Sequence, residues 1–403
     1  MRDGACADFF LVHNFVTRPG RNQGPPKSSE RVLAMFRRLA LEYPYWNRSK
    51  VEKPYVSHYV ISPCDHGPGD CMFDRESFGT LQAPPGAAGA GKQRRPGWAK
   101  ADGVVTWQEI NPSSEHRRIG FITHNGAVGP WNFFFRALDI RVPQWDTHQC
   151  GPFCGIQRRR AVGLATLRRF SPWWKGRDGP QARGDRGKMR PNAAEPLPAS
   201  LRTRRRIRFF FAGRAPKGGV RDALFKHHHH RPDYLLHDTA GGYGDAPALS
   251  PRHATARLAN ASDPDFLPRA MANSDFCFSP LGQSDGDSDR YLPALLYGCI
   301  PVFADSAERE ARPFDEILPW GDFSISLSPG NDVKQLHLLL RNISDAHLRT
   351  MRRAMAQHWP RMLWSSVMAA AGRGTYLGES VRQDAFQTLM DLLERRMVHN
   401  RLI

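Results

Sequence analysis

This sequence predicts an α/β fold with parallel sheets, organised as two domains. Three observations carry that reading. From residue 207 onward, short apolar runs alternate with short helical patterns, the spacing of βαβ units. At roughly 150 residues per domain, 403 residues suggest two domains. Hydrophobic residues are 40% of the chain, which supplies a core and excludes a wholly disordered or fibrous protein.

The elements follow in order. Phe9 to Val12 is a short apolar run that reads as a strand, and Val32, Leu33, Phe36, Leu39 and Leu41 recur at near-helical spacing over 30–42. Tyr55 to Ile61 alternates as a second strand and runs into the polar, Gly-rich loop Cys64-Asp65-His66-Gly67-Pro68. Open α/β sheets keep their ligand groups on loops of this kind. Residues 79–103 are low in complexity and expected to be disordered. Gly120 to Asn125 and Asp139 to Val142 are further strands. Ile207 to Ala212 is a strand, Gly213 to Gly219 a loop, and Val220 to Lys226 opens a helix. The strand at Phe276 to Phe278 leads through a polar loop to a helix from about Arg290 to Tyr297. The strands Ile300 to Phe303 and Phe323 to Leu327, and a helix at Val333 to Arg341, complete this half. The last helix shows an apolar stripe at Phe386, Leu389, Met390, Leu393 and Met397.

The net charge of +18 invites a nucleic-acid reading, but its distribution argues otherwise. Residues 155–208 hold 16 Lys/Arg against three acids, so most of the excess belongs to one segment. That segment reads as a linker or loop insertion. Seven cysteines are too few for a disulfide scaffold. Cys64 with Cys71, and Cys150 with Cys154, are the pairs expected to bridge in an oxidising lumen; their spacings are loose for zinc. Three N-x-[ST] sequons, at Asn47, Asn260 and Asn342, fit a lumenal protein. No window approaches the ~18 consecutive apolar residues of a spanning helix, and no signal peptide is visible. The expectation is a soluble protein or a chain that begins after an anchor.

The segment from Ser274 to Trp320 is the most informative. It reads as a strand, a polar loop, Arg290 at a helix start, a Gly-Cys turn and a strand. Backbone N–H groups at such a junction attract an anion, and an arginine adds a bidentate donor. Pro293 has no N–H and fits only in the first turn, which fixes the helix start near Arg290.

Ser274, Phe276, Cys277, Pro280, Gly282, Ser288, Arg290, the run Gly298-Cys299-Ile300-Pro301-Val302, Pro313, Phe314, Leu318, Trp320, Phe323 and Ser324 together resemble the exostosin-type glycosyltransferases (family 47), especially the plant and algal type. Phe209 to Gly213 with Gly219-Val220-Arg221 resembles the family's F-F-x-G…G-x-R stretch. Tyr43 to Arg48, Asp65 to Pro68 and Asp139 to Pro143 are similar more loosely.

The resemblance implies a GT-B architecture of two Rossmann-like domains facing a cleft, with low-complexity insertions. It divides the chain into an acceptor-side domain (7–154, with an insertion at about 79–118), the basic linker or insertion (155–206), a nucleotide-sugar-binding domain (207–350) and C-terminal helices (351–403). It implies an inverting transferase moving a sugar from a nucleoside-diphosphate sugar, expected to be a UDP-sugar, to a glycan or glycoprotein hydroxyl. Arg290 and Arg221 are the candidates for the diphosphate, with Gly218, Gly219, Gly282 and Ser288 beside them. Asp65 or His66 is the candidate base. No metal and no separate cofactor is required, because basic side chains replace the metal in this architecture. Golgi residence, and assembly as a homo- or hetero-oligomer with another glycosyltransferase, also belong to what it implies. Many family members carry an acid three positions after the arginine; here that position is Pro293, which offers no ribose contact.

Other patterns carry less. His227 to His230 point in different directions on a helix and make a poor metal site. Asp285, Asp287 and Asp289 alternate, but the Gly and Glu that a calcium loop needs are replaced by Arg290 and Leu296. The rival from another class is an RNA- or polyanion-binding protein, resting on the Arg-rich segment with Phe170, Trp173 and Trp174 interleaved. No nucleic-acid module is visible, so a nucleic-acid partner is not expected. A catalytically inactive partner subunit is the third reading.

Overall fold

A computed structural model of the protein describes residues 10–12, 38–39, 58–62, 119–123, 138–143, 169–173, 197–239, 265–281, 290–304, 311–327, 331–364 and 383–401. They build two parallel sheets, one from each half of the chain. The first has the order β1-β2-β3-β4, with β1 at Phe10–Val12, β2 at His58–Ser62, β3 at Ile119–Thr123 and β4 at Ile140–Arg141. Tyr59, Val60, Phe121, Ile122 and Ile140 are among its buried residues, and the buried Asp139 carboxylate accepts the Phe121 N–H at 2.8 Å.

The second sheet has five strands in the order β6-β5-β7-β8-β9. These are β5 (Ile207–Gly213), β6 (Tyr234–Asp238), β7 (Ser274–Phe278), β8 (Ile300–Phe303) and β9 (Ile325–Ser326). Every residue of β5 is buried, which is why it reads as a continuous apolar run instead of an alternation. Phe209, Phe210 and Phe211 meet Phe278, Phe266 and Phe225 at ring separations of 5.5–6.2 Å. Each such ring contributes roughly 2–3 kcal/mol by burial, and truncating one to alanine costs about 3–5 kcal/mol.

The helices are α1 (Ala199–Arg202), α2 (Val220–His228), α3 (Phe266–Ala272), α4 (Tyr291–Leu296), α5 (Trp320–Phe323), α6 (Asn331–Arg341), α7 (Asp345–His358) and α8 (Ala385–Arg401). Buried Val333, Leu336 and Leu340 give α6 one apolar face, and Ser344 caps α7 by accepting the His347 N–H at 3.1 Å. The expected strand from Phe323 to Leu327 is shorter: Trp320–Phe323 turns as α5, and only Ile325–Ser326 pairs. On α8 the buried face is Ala385, Leu389, Leu392 and Leu393, while Phe386 and Met390 of the expected stripe are exposed.

Within the basic segment 155–206, residues 169–173 and 197–206 are not a free linker but part of the second unit. Trp173 is buried; its indole N–H donates to the Leu295 carbonyl at 2.7 Å and its ring stacks on Trp359. Leu197 and Leu201 are buried, and the Arg205 guanidinium donates to the carbonyls of Met271, Ser274 and Tyr297. Its Nη1 and Nη2 thereby satisfy carbonyls where α3 and α4 end. Burial first, then neighbouring Arg352, pulls the pKa of Arg205 below the ordinary arginine value. Cys277 on β7 is bonded to Cys299, which precedes β8, across 22 residues. The expected pairs, Cys64 with Cys71 and Cys150 with Cys154, lie outside the described residues.

The two halves are tied through main-chain atoms. Arg396 on α8 donates to the carbonyls of Leu138 (3.0 Å) and Asp139 (2.9 Å) and to the Tyr59 hydroxyl (3.3 Å), and it pairs with Glu316. Phe314 N–H donates to the Arg141 carbonyl at 2.9 Å, and the Trp364 indole donates to the Pro143 carbonyl at 2.9 Å. Phe314 is held at φ 53°, the left-handed region that costs a non-glycine residue roughly 1–2 kcal/mol.

Candidate functional site

The order of the second sheet locates a site before any side chain is considered. From β5 the chain crosses by α2 to β6 on one side, then returns by α3 to β7 on the other. Where strand order reverses, the loops at the carboxyl ends diverge and leave a crevice, here between the ends of β5 and β7. Gly213 ends β5, Phe278 ends β7, and the following segments lead to Arg221 and Arg290.

Both arginines arrive at one ring. The Arg290 guanidinium carbon lies 5.5 Å from the Phe211 centroid, and that of Arg221 lies 5.8 Å from it. Arg290 can approach because Gly213 has no side chain: a Cβ there would stand 2.9 Å from Arg290 Nη2 and 2.9 Å from Phe211 Cζ. Arg290 immediately precedes α4, with Pro293 inside the first turn as its missing N–H requires.

Arg221 sits in the first turn of α2, whose N-cap is Gly219. The helix dipole disfavours a cation at that end. The side chain is buried, and its guanidinium donates to the carbonyls of Leu281 and Arg214. No carboxylate pairs with it among the described residues, and burial pulls its pKa below the ordinary arginine value. A buried cation with no counter-charge among the described residues carries a desolvation cost, which makes it a candidate for binding an anion.

The glycines divide. Gly218 adopts φ +84°, but its N–H donates to Asp222 Oδ2 at 3.0 Å, so the expectation that this amide faces a diphosphate does not hold. Asp222 is itself buried and held by Lys226 Nζ at 2.6 Å. Around Gly219 there is room, since an added Cβ would meet only the Pro216 carbonyl at 3.8 Å. Gly282, Ser288, Asp65 and His66 lie outside the described residues, as do Asp285, Asp287 and Asp289. Ser62 closes β2 three residues before Asp65.

The histidine run serves packing. His228 is buried and its Nε2 lies 2.6 Å from the Val333 carbonyl, which joins α2 to α6. Burial pushes its pKa down to about 4, so the ring is neutral at pH 7. Among the described residues no group of three or more His, Cys, Asp or Glu is placed to hold a metal, and no helix is long and apolar enough to cross a membrane.

Beneath the site lies an ionic cluster that no sequence motif announced. Asp275 on β7, fully buried, accepts from Arg208 Nη1 at 2.9 Å, from Arg352 Nη2 at 2.6 Å and from the Arg205 N–H at 2.9 Å. Arg352 on α7 is equally buried. The cluster fixes the amino ends of β5 and β7 against α7, so the carboxyl ends that carry the site are anchored from below.

Comparison with known proteins finds its family match mostly in the second half of the chain. Residues 187–343 match the Exostosin GT47 domain. A probable glycosyltransferase of Arabidopsis thaliana is 36% identical over 97 residues, 22% of this chain and 18% of that protein. A probable glucuronosyltransferase of Oryza sativa subsp. japonica is 28% identical over 129 residues, 32% of this chain and 27% of that protein. The chain thus spans under a third of the length of these curated relatives. The crystal structure of AviGT4, a glycosyltransferase involved in Avilamycin A biosynthesis, aligns over 92% of this chain and 98% of its own, at 13% identity and a TM-score of 0.23. That likeness bears no weight; the two parallel sheets, one per half, supply the paired Rossmann-like units of a GT-B fold directly. Residues 187–343 are thus similar to the Exostosin GT47 domain of family 47 glycosyltransferases.

Proposed function

We propose that the protein transfers a sugar, with inversion, from a nucleoside-diphosphate sugar to a hydroxyl of a glycan or glycoprotein. The observation that carries this reading is Arg221, buried with no carboxylate partner among the described residues and converging with Arg290 on Phe211 at the switch point. In the reaction the acceptor oxygen bonds to the anomeric carbon while the bond from that carbon to the diphosphate breaks. Charge then accumulates on the leaving diphosphate, where two guanidiniums in a low-dielectric crevice stabilise it most strongly. The acceptor proton passes to Asp65 or His66, which follow β2 by three and four residues. Support for placing them near the donor comes from Arg141, at the end of the same sheet's β4, whose guanidinium lies 5.7 Å from the ring of Tyr291, the neighbour of Arg290. Gly219, Gly282 and Ser288 complete the proposed diphosphate contacts.

The rice relative's description makes UDP-glucuronate one donor to try first among UDP- and GDP-sugars. The Cys277–Cys299 bond supports residence in an oxidising lumen such as the Golgi. Of the three aromatics behind the polyanion reading, Trp173 is committed to Leu295 and Trp359, and Trp174 lies outside the described residues. Calorimetric titration with the sugar nucleotides tests the proposal. Binding of at least one, lost in Arg290→Ala and Arg221→Met, is expected; binding of none overturns it, and equal binding by the variants overturns the site.

A further inference from the structure

The sequons of this chain play no part in transfer, and one of them lies on described structure. Asn342-Ile343-Ser344 forms the turn between α6, which ends at Arg341, and α7, which begins at Asp345. We propose that Asn342 is a site of N-glycosylation, modified by an oligosaccharide carried on a polyprenyl diphosphate.

Four observations support it. Asn342 is exposed, and its main-chain N–H bonds back to the Leu338 carbonyl at 3.1 Å, so it stands at the finished end of α6. Ser344 is exposed as well; its Oγ accepts the His347 N–H, a bond that leaves the hydroxyl proton uncommitted. The Cys277–Cys299 bond marks an oxidising compartment, and it is in that compartment that such oligosaccharides are attached. Position is the fourth. Arg208, the second residue of β5, donates to the carbonyls of Leu340 and Ile343, so the turn lies at the amino edge of the sheet. Gly213 and the arginine site lie at the carboxyl edge, about 17 Å away along the strand. A bulky glycan at Asn342 therefore leaves the proposed donor site open.

The chemistry balances simply. The Asn342 amide nitrogen bonds to the anomeric carbon of the oligosaccharide, the bond from that carbon to the diphosphate breaks, polyprenyl diphosphate leaves, and the amide gives up one proton to a base of the transferring enzyme.

The test uses the full chain directed by an added leader into the secretory pathway of a eukaryotic cell. Treatment with the amidase that releases N-glycans converts a glycosylated asparagine side chain to a carboxylate, which peptide mass spectrometry reads separately for Asn47, Asn260 and Asn342. Conversion at Asn342 is expected in the wild type and in Ser344→Thr, which keeps both hydroxyl and helix cap. It should vanish in Ser344→Ala and in Asn342→Gln, the latter keeping the disulfide and the wild-type melting temperature. A secreted, disulfide-bonded wild type whose Asn342 is unmodified overturns the proposal. Because the wild-type peptide alone decides, a variant that fails to fold does not blunt the test, and sugar-nucleotide binding is read independently of it.

Discussion

Arg290 occupies the space that a side chain on residue 213 would need: its Nη2 stands 2.9 Å from the Cβ position of Gly213. One methyl group is therefore enough to move the guanidinium while leaving β5 in place. In Gly213→Ala we expect donor affinity to fall about tenfold, roughly 1.4 kcal/mol, with a melting temperature within a few degrees of wild type. Calorimetry beside a thermal melt measures both. Unchanged affinity would show that Arg290 is not held by this contact.

Arg221 separates binding from stability. A buried guanidinium with no carboxylate partner costs desolvation, and an apolar replacement of similar length removes that cost. Arg221→Met is expected to melt at or above the wild-type temperature and to bind sugar nucleotide at least tenfold more weakly. A variant that is both unstable and fully competent for binding would make this arginine structural.

Asp275 balances two buried guanidiniums and one main-chain N–H. Asp275→Asn leaves Arg208 and Arg352 without their counter-charge, and about 3–5 kcal/mol of unfolding free energy should be lost in urea titration. Adding Arg352→Met should restore part of it. A double variant no better than the single would mean that the cluster acts by hydrogen bonding instead of charge.

His228 makes stability depend on pH. Its folded-state pKa lies at about 4, against 6.5 when unfolded, so the unfolded chain binds the proton more readily. Its contribution is complete above pH 6.5 and is lost as pH falls from there toward 4, by about 1.4 kcal/mol per unit at the steepest. His228→Phe, which keeps the ring, should flatten the curve of unfolding free energy over that interval. A curve with the wild-type slope would assign the effect to other groups.

Much of the second sheet could be read directly because its strands are buried on both faces. Ile300–Phe303 was located to the residue, and β5 to within one. Tyr234–Asp238 escaped notice because it is short, ends in His237 and Asp238, and follows a run of histidines that obscures any pattern. On α7 the buried Leu348, Met351 and Met355 are interleaved with charge, and Arg352 lies on the inner face, so a rule that sends arginine outward misplaces it. The Cys277–Cys299 bond is not legible from nearness in sequence, since it is the adjacency of β7 and β8 that brings the two together. At the site, Arg221 and Arg290 were visible in motifs. The reason for Gly213 was not, since only geometry shows which side chain fills the space it leaves.

The contact of Arg396 with Leu138, Asp139 and Tyr59 imposes an order of events during synthesis. The first sheet leaves the ribosome more than 250 residues before the side chain that clamps it. Until then its Tyr59 hydroxyl and two carbonyls must rely on water, and a ribosome stalled before codon 396 would release a nascent chain whose leading domain has no latch.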